Sequence, residues 1–361
     1  FRRVLFRSAN HSKKCEMNTV SRKPTIRDVA AEAGVSKSLV SLVYSSPESV
    51  SDQRKQKVLK AAEKLGYAPN FLARSLAADS GTFIAILVAD LHNPLFAEIA
   101  DQIRLSLEEV GRHYFITSAM IKDESGDPFL DKQTLKSIVD LRPEKLLVIG
   151  SIPKIEILEN LPKDLPIIIA SGVPTGISRV VTVRTDESMG MKMVVDHLLD
   201  LGHSEIVHIA GVSPVVAKDR ALGYQKAMRD SGLAESVKVI QARSDDEIGG
   251  YEITRKIIQE NLATAIVCFN DLQAIGAQAA LIESNSKISL VGFDNTYLSG
   301  LRQISLTSVD PGNKEIAKKC AELLIADDQR AAKTYFAIPK LIVRDSTKRV
   351  FPSETEGAVN G

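Results

Sequence analysis

The sequence predicts two structural classes in one chain: a small all-helical head, then a much larger α/β body of two doubly wound halves. Three observations carry this. Residues 25–44, TIRDVAAEAGVSKSLVSLVY, read as two short amphipathic helices on either side of a Gly34-Val35 corner. Beyond residue 82, short apolar runs alternate with helical stretches as far as residue 349, which is the α/β pattern. Several of those runs are unbroken Ile, Val and Leu, as parallel strands buried on both faces should be.

In the head, Thr25 suits the N-cap of a first helix whose apolar face is Ile26, Val29, Ala30 and Ala33, and Gly34 supplies the positive φ that ends it. Ser36 caps the second helix. There Leu39, Val40 and Val43 share the inward face, which leaves Lys37, Ser38, Ser41, Leu42 and Ser45 pointing outward. A small polar face suits a helix laid in the DNA major groove with its N-terminal turn on base edges. A helical hairpin inside a larger helical domain would carry the same pattern. Ser51 is placed to cap a third helix, with Val58, Leu59, Ala62 and Leu65 inward and Arg54, Lys55, Lys57, Lys60 and Lys64 toward phosphate or simply toward solvent. The Gly66-Tyr67-Ala68-Pro69-Asn70 string stops that helix, and Asn70 can cap a further one over 71–78. That last segment falls short of the roughly 12 to 15 residues an isolated helix needs to be even marginal in water, so something else must hold it.

In the body, strands are expected at 83–89, 114–118, 146–150, 167–170, 180–183, 205–210, 237–241, 265–269 and 289–293, with later ones near Leu306 and Ile342. Helices are expected at 95–110, 187–201, 220–230, 249–260 and 272–282. Two such subdomains facing each other would place a ligand beyond the carboxyl ends of their strands.

These segments also carry a resemblance. From Lys23 to Ala78 the chain resembles the DNA-binding headpiece of the LacI family of bacterial transcription regulators, in three helices and a linker of unbroken order. The blocks ADLHNPLFAEI, TDESMGMKMVVDHLLDLGHSEIVHIAG, KDRALGYQKAM, AIVCFNDLQAIGA and SLVGFDNTYLSGLRQISLTSVD resemble that family's effector-binding core, which is similar to periplasmic sugar-binding proteins. The likeness extends from about residue 22 to 349.

The resemblance implies a helix-turn-helix domain at 20–69, a hinge helix and linker at 70–81 and a core at 82–349, with lobe 1 at about 82–184 and 311–338 and lobe 2 at about 185–310 and 339–349. It further implies a homodimer on pseudo-palindromic operator DNA, with a small-molecule effector, a sugar or related metabolite, in the cleft. The expected DNA contacts are Thr25, Lys37, Ser38, Ser41, Leu42, Ser45, Ser51, Arg54, Asn70 and Leu76. Leu76 would wedge a minor-groove base step as hinge leucines do, unless the Leu72 and Leu76 pair merely packs on the head. Leu42 departs from the family, which commonly has arginine, histidine or a similar polar residue there. It cannot hydrogen-bond a base, but it can touch a thymine methyl or pack near Phe71, so Lys37 and Ser38 should carry most direct readout.

For the effector, Asp90, Phe96, Arg220, Asn270 and Asp294 stand at strand ends or helix starts. Carboxylate, amide and guanidinium groups aimed into one cleft can bracket vicinal hydroxyls, with an aromatic face on the C–H side. Each has a plainer alternative: Asn270 capping the next helix, Asp90 capping through Asn93-Pro94, Arg220 in a salt bridge at the cleft edge. Ser171 stands where sugar-responsive relatives often present an acid.

Composition narrows the classes. The 361-residue length suits two or three domains with sizeable cores. No apolar run reaches the roughly 18 residues of a membrane-spanning helix, and the N-terminus is not a secretory signal, so a cytoplasmic location is expected. Cys15, Cys268 and Cys320 are scattered and odd in number, against a disulfide framework; Cys268 reads as a core residue. The opening FRRVLFRS resembles translated adapter read-through ahead of a plausible initiator, Met17, so residues 1–19 are read as a non-native or disordered leader, and 350–361 as a disordered tail without heptad leucines. Lys and Arg outnumber Asp and Glu through residue 80 and are outnumbered after it, so a formal net charge of +1 hides a basic head on an acidic body. That asymmetry fits a nucleic-acid footprint confined to the head.

No G-x-S-x-G, H-E-x-x-H, Walker loop or Rossmann glycine triplet occurs, and His197, His203 and His208 lack metal spacing. Neither an enzyme nor a cofactor or metal is expected. A ligand-binding protein of the periplasmic type would explain the body but not the basic helix-turn-helix, and an architectural DNA-binding protein would not need the cleft.

Overall fold

The computed structural model describes residues 23–68, 83–118, 120–122, 128–174, 176–212, 215–326 and 332–350. The anticipated leader, the 71–78 helix with Leu76, its cap Asn70 and the tail beyond Val350 lie outside them. The chain divides into two compact units, residues 1–74 and 75–361.

The first unit is built from α1 (Ile26–Ala33), α2 (Lys37–Ser45) and α3 (Asp52–Leu65). Gly34 takes φ 59 at the corner between α1 and α2, and the N–H of Val35 closes the turn on the carbonyl of Ala30 at 3.0 Å. Only small and branched side chains fill the core: Val29, Ala30 and Ala33 from α1, Val40 and Val43 from α2, Val58, Ala61 and Ala62 from α3. That choice lets three short helices approach closely, and it dictates which face of α2 stays in water.

The second unit contains β1 (Ile84–Val88), β2 (Tyr114–Thr117), a hairpin of β3 (Met120–Lys122) and β4 (Pro128–Leu130), β5 (Lys145–Ile149), β6 (Ile167–Ala170), β7 (Val180–Thr185), β8 (Ile206–Ala210), β9 (Lys238–Gln241), β10 (Ala265–Cys268), β11 (Ser289–Phe293), β12 (Thr307–Asp310), β13 (Lys333–Ala337) and β14 (Lys340–Ile342). One sheet, in lobe 1, has the order β13-β7-β6-β5-β1-β2 and is wholly parallel; the other, in lobe 2, has the order β14-β12-β11-β10-β8-β9, with only β14 antiparallel. The chain crosses between sheets after Thr185, after Asp310 and between Ala337 and Lys340. Strand order reverses beside β1 in one lobe and beside β8 in the other, where open α/β sheets leave room for a ligand.

Helices cover the sheets. On lobe 1, α4 (Pro94–Glu109) packs one face, with α5 (Lys132–Asp140) following the hairpin. On lobe 2, α6 (Glu187–Asp200) and α7 (Val216–Asp230) cover one face, and α8 (Glu247–Gln259) and α9 (Asp271–Glu283) the other. The helix α10 (Asn313–Ile325) returns to the lobe 1 core. The α8/α9 crossing requires glycine on both sides. A Cβ at Gly250 would sit 1.9 Å from the carbonyl of Gln273, and one at Gly276 1.8 Å from that of Glu247. Buried Lys145 ends α10 by donating to the carbonyls of Leu323 and Leu324 at 3.1 and 2.9 Å and to that of Ala326.

Most expected strands and helices are present, with ends shifted by a residue or a few. The sequence reading did not pick out α5, α10, the β3-β4 hairpin or β13. The last is an edge strand with mostly exposed side chains, KTYFA, so it lacks the apolar run that marks a buried strand.

Candidate DNA-reading helix and interlobe cleft

On the first unit, Lys37, Ser38, Ser41 and Leu42 are all exposed, while Val40 and Val43 behind them are buried. Leu42 is 39% exposed, enough for its isobutyl group to meet an apolar edge. Ser36 anchors the start of this helix, its Oγ accepting the N–H of Leu39 at 3.2 Å. Ser45 is its last residue. The hydroxyl and N–H of Thr25 both donate to Asp28 Oδ2 at 2.7 Å, which ties Thr25 to its own helix. Ser51 corrects the sequence reading in part. It stands at the N-cap of α3, yet its side chain makes no capping bond, and the first turn closes through its carbonyl, 3.0 Å from the N–H of Lys55. Arg54, Lys57 and Lys60 are exposed, whereas Lys64 pairs with Glu32 at 2.6 Å.

In the second unit the cleft residues divide by lobe. On lobe 1, exposed Asp90 accepts the N–H of His92 at 2.8 Å, so it shapes the loop. Asn93 is the cap of α4, accepting the N–H of Leu95 at 3.0 Å. Phe96 packs against the lobe core and over Gly150, where an added Cβ would lie 2.8 Å from its ring. Ser171 takes φ 54, and its Oγ is buried without a hydrogen-bond partner.

On lobe 2, Arg220 is 5% exposed. Its Nε donates to Glu187 at 2.8 Å, one terminal nitrogen to Asp294 at 3.3 Å and the other to the carbonyl of Phe269. The guanidinium lies 4.7 Å from the ring centroid of Phe269 and 3.7 Å from that of Phe293. Burial opposes its charge, but Glu187 and Asp294 outweigh burial and hold its pKa above the ordinary value. Asp294, at φ 106, is pushed up to about 7, by burial first, against the pull of Arg220. Asn270 caps α9, accepting the N–H of Gln273 at 2.8 Å while its amide donates to the carbonyl of Asp245 at 2.9 Å. Both ends of that side chain are therefore occupied.

Residues from both lobes meet around this network. Arg184, at the end of β7, bonds Asp219 on α7 at 2.8 Å and lies 4.0 Å from Glu187. Glu98 on α4 accepts the N–H of Tyr297 at 2.9 Å. Among the described residues, the buried polar atoms without partners include, at the cleft, Ser151 Oγ, Ser171 Oγ, Arg184 Nε, Thr185 Oγ1 and Asn313 Oδ1. They stand after β5, after β6, at the end of β7 and at the start of α10, all at the carboxyl ends of strands or at a crossing. Buried polar groups are nearly always satisfied, so this set calls for a hydroxyl-bearing or amide-bearing guest, or ordered water.

Comparison with known proteins fits both surfaces. Residues 25–70 match the model of the lacI family of bacterial regulatory proteins, and residues 195–347 that of the periplasmic binding protein-like domain. The HTH-type transcriptional repressor PurR of Histophilus somni (strain 2336) is 29% identical over 335 residues, covering 90% of this chain and 99% of the relative. PurR of Haemophilus influenzae (strain PittEE) is 28% identical over 340 residues, with coverage of 90% and 99%. The chain thus carries a LacI-family helix-turn-helix domain and a periplasmic binding protein-like domain. Among solved structures, the lac repressor dimer bound to operator and the anti-inducer ONPF has the same fold, with TM-score 0.76 at 23% identity over 91% of this chain and 100% of that one. A LacI transcriptional regulator from a Rhodococcus species gives TM-score 0.66 at 25% identity over 74% and 99%.

Among the effector contacts anticipated for a LacI-family core, Arg220 and Asp294 bond to each other. Asn270 joins their wall by capping the helix that begins beside Phe269, while Asp90, Phe96 and Ser171 lie on the opposite lobe. Sequence reasoning missed Glu187, Phe269, Phe293 and Arg184. Asp186 caps α6, accepting the N–H of Met189 at 3.0 Å. Glu187 beside it carried only the signal of an acid in a first turn.

Proposed function

We propose that this chain is a LacI-family regulator that represses transcription by binding a pseudo-palindromic operator as a homodimer, and that a small uncharged hydroxylated metabolite, such as a sugar, sets that affinity from the cleft. The observation that carries the DNA half is the outward face of α2, where Lys37, Ser38, Ser41 and Leu42 are exposed on a helix whose other face is locked into a core. Lys37 and Ser38 read base edges, Leu42 adds an apolar preference, and Arg54 contributes phosphate contact. A repressor working this way acts in the cytoplasm.

The effector class follows from charge and polar bookkeeping in the cleft. Arg220 is already balanced by Glu187 and Asp294 and Arg184 by Asp219, so among the described cleft residues a phosphorylated ligand meets neither arginine without a carboxylate partner. The unpartnered hydroxyls and amide oxygen accept and donate to neutral groups instead. CelR, a protein of the same fold, was solved with cellobiose. An effector that favours one lobe arrangement shifts operator affinity by its differential binding to the two states, and operator shifts effector affinity by the same factor.

The test has two steps. Thermal-shift screening of the full chain against sugars, sugar phosphates, polyols and nucleobases finds the effector, since a ligand at about 100 times its Kd stabilises by about 2.7 kcal/mol. Operator recovered from a random duplex library is then titrated with wild-type protein and Lys37→Ala. Stabilisation only by phosphorylated compounds rejects the effector class, and unchanged affinity in the variant rejects the reading helix.

A further inference from the structure

The segment after β6 carries a feature that effector recognition leaves unused. Ser171 is in the left-handed region at φ 54, and its N–H is fixed to the carbonyl of Val183 at 2.9 Å. Gly172 is buried so tightly against lobe 1 that an added Cβ would lie 2.6 Å from the carbonyl of Gly150. Pro174 stiffens the far side. Between these fixed points, Val173 packs into an apolar cluster that belongs to the other lobe, formed by Val216 and Ala217 in the first turn of α7 and by Phe269 after β10. All three socket residues are at least nine-tenths buried.

We propose that Val173 is an interlobe latch: an isopropyl group on a rigid mount of lobe 1, seated in a lobe 2 socket, that sets how readily the cleft opens. Two of the polar bridges between the lobes are open to water. Asp219 is 36% exposed where it meets Arg184, and the Glu98 to Tyr297 bond is exposed, so water competes for both. Burying even part of a valine side chain is worth on the order of tenfold in an opening equilibrium. The socket also touches the cleft's charged centre. Ala217 precedes Arg220 by one helical turn, and the Phe269 ring covers the Arg220 guanidinium. Withdrawing Val173 therefore uncovers Phe269 at the same time as it frees the lobes, and effector entry is gated by an aliphatic contact.

The test uses the full chain and needs neither effector nor operator. Hydrogen exchange is followed at amides of 210–212 and 269–271, which line the cleft, and at Leu147 and Val148 in the middle of β5 as a control for global unfolding. Val173→Ala should speed exchange at the cleft amides by several-fold and leave the β5 amides unchanged, and Val173→Ile should restore slow exchange. The effects of Val173→Ala and Val216→Ala should be less than additive, because each breaks the same contact. Paired Val173→Cys and Val216→Cys substitutions should cross-link under mild oxidation and slow cleft exchange below that of the wild type. Unaltered cleft exchange in Val173→Ala, additive single effects, or a cysteine pair that stays reduced would each overturn the latch. None of these outcomes bears on whether the chain represses transcription.

Discussion

Arg220→Met puts the buried charge network to a quantitative test. Methionine retains much of the hydrocarbon between Phe269 and Phe293 and removes the guanidinium, so the change is mainly electrostatic. It leaves the carboxylates of Glu187 and Asp294, only 6% and 4% exposed at their side chains, without their cation. Stranding a buried partner in this way costs about 3–5 kcal/mol. The loss should depend on pH, and the sign follows from Asp294. Its folded pKa is already raised to about 7, and removing the cation raises it further. A raised carboxylate favours the protonated folded form, so its contribution is fully present below its unfolded pKa and is lost as pH rises through the folded value. Urea unfolding followed by circular dichroism should therefore show a smaller deficit at about pH 5 than at about pH 8. Adding Glu187→Gln and Asp294→Asn should recover most of the loss at the higher pH. A deficit below about 1 kcal/mol at both pH values would refute the claim that Arg220 neutralises this site.

Other perturbations probe separate parts. Leu42→Ala should flatten preference at a base-pair position bearing a thymine methyl when binding is profiled across operator variants, whereas Arg54→Ala should weaken all sequences alike and lower the salt slope by about one; unchanged profiles would remove both residues from the interface. Gly276→Ala should destabilise lobe 2 by at least about 3 kcal/mol in denaturant unfolding, because its Cβ meets a backbone carbonyl that cannot turn aside; a loss under about 1 kcal/mol would contradict the close helix crossing. His208 is fully buried, and burial lowers its pKa from 6.5 to about 4. Between those values the unfolded chain takes up a proton that the folded chain refuses, so stability falls as pH drops through that window, by on the order of 3 kcal/mol. In His208→Leu that part of the pH dependence should vanish.

The head and most strands were legible because their signals are local. Val29, Ala33, Val40 and Val43 announce a helical hairpin by spacing alone, and runs such as Ile84–Val88 and Ile167–Ala170 can hardly be anything but buried strands. The cleft was legible only as a set of strand ends. Glu187 and Arg220 are 33 positions apart in sequence, and Arg220 and Asp294 are 74 apart, so nothing in their neighbourhoods says that they pair. The same holds for Gly250 and Gly276, whose need to be glycine arises from another helix's backbone. Asn270 shows how one residue type can mislead: a polar side chain at a strand end reads equally as ligand contact and helix cap, and here both ends of its amide bond to protein. Edge strand β13 and the β3-β4 hairpin escaped because exposed side chains erase the apolar pattern on which strand recognition rests.

The central claim is that cleft occupancy and operator affinity are linked, and titrating operator with the full chain at saturating effector and without it tests this most directly. Coupling of the usual size should shift the operator Kd by roughly 5- to 150-fold, with an equal shift in effector affinity when operator is saturating. Identical operator affinity in both titrations, with effector demonstrably bound, would contradict it.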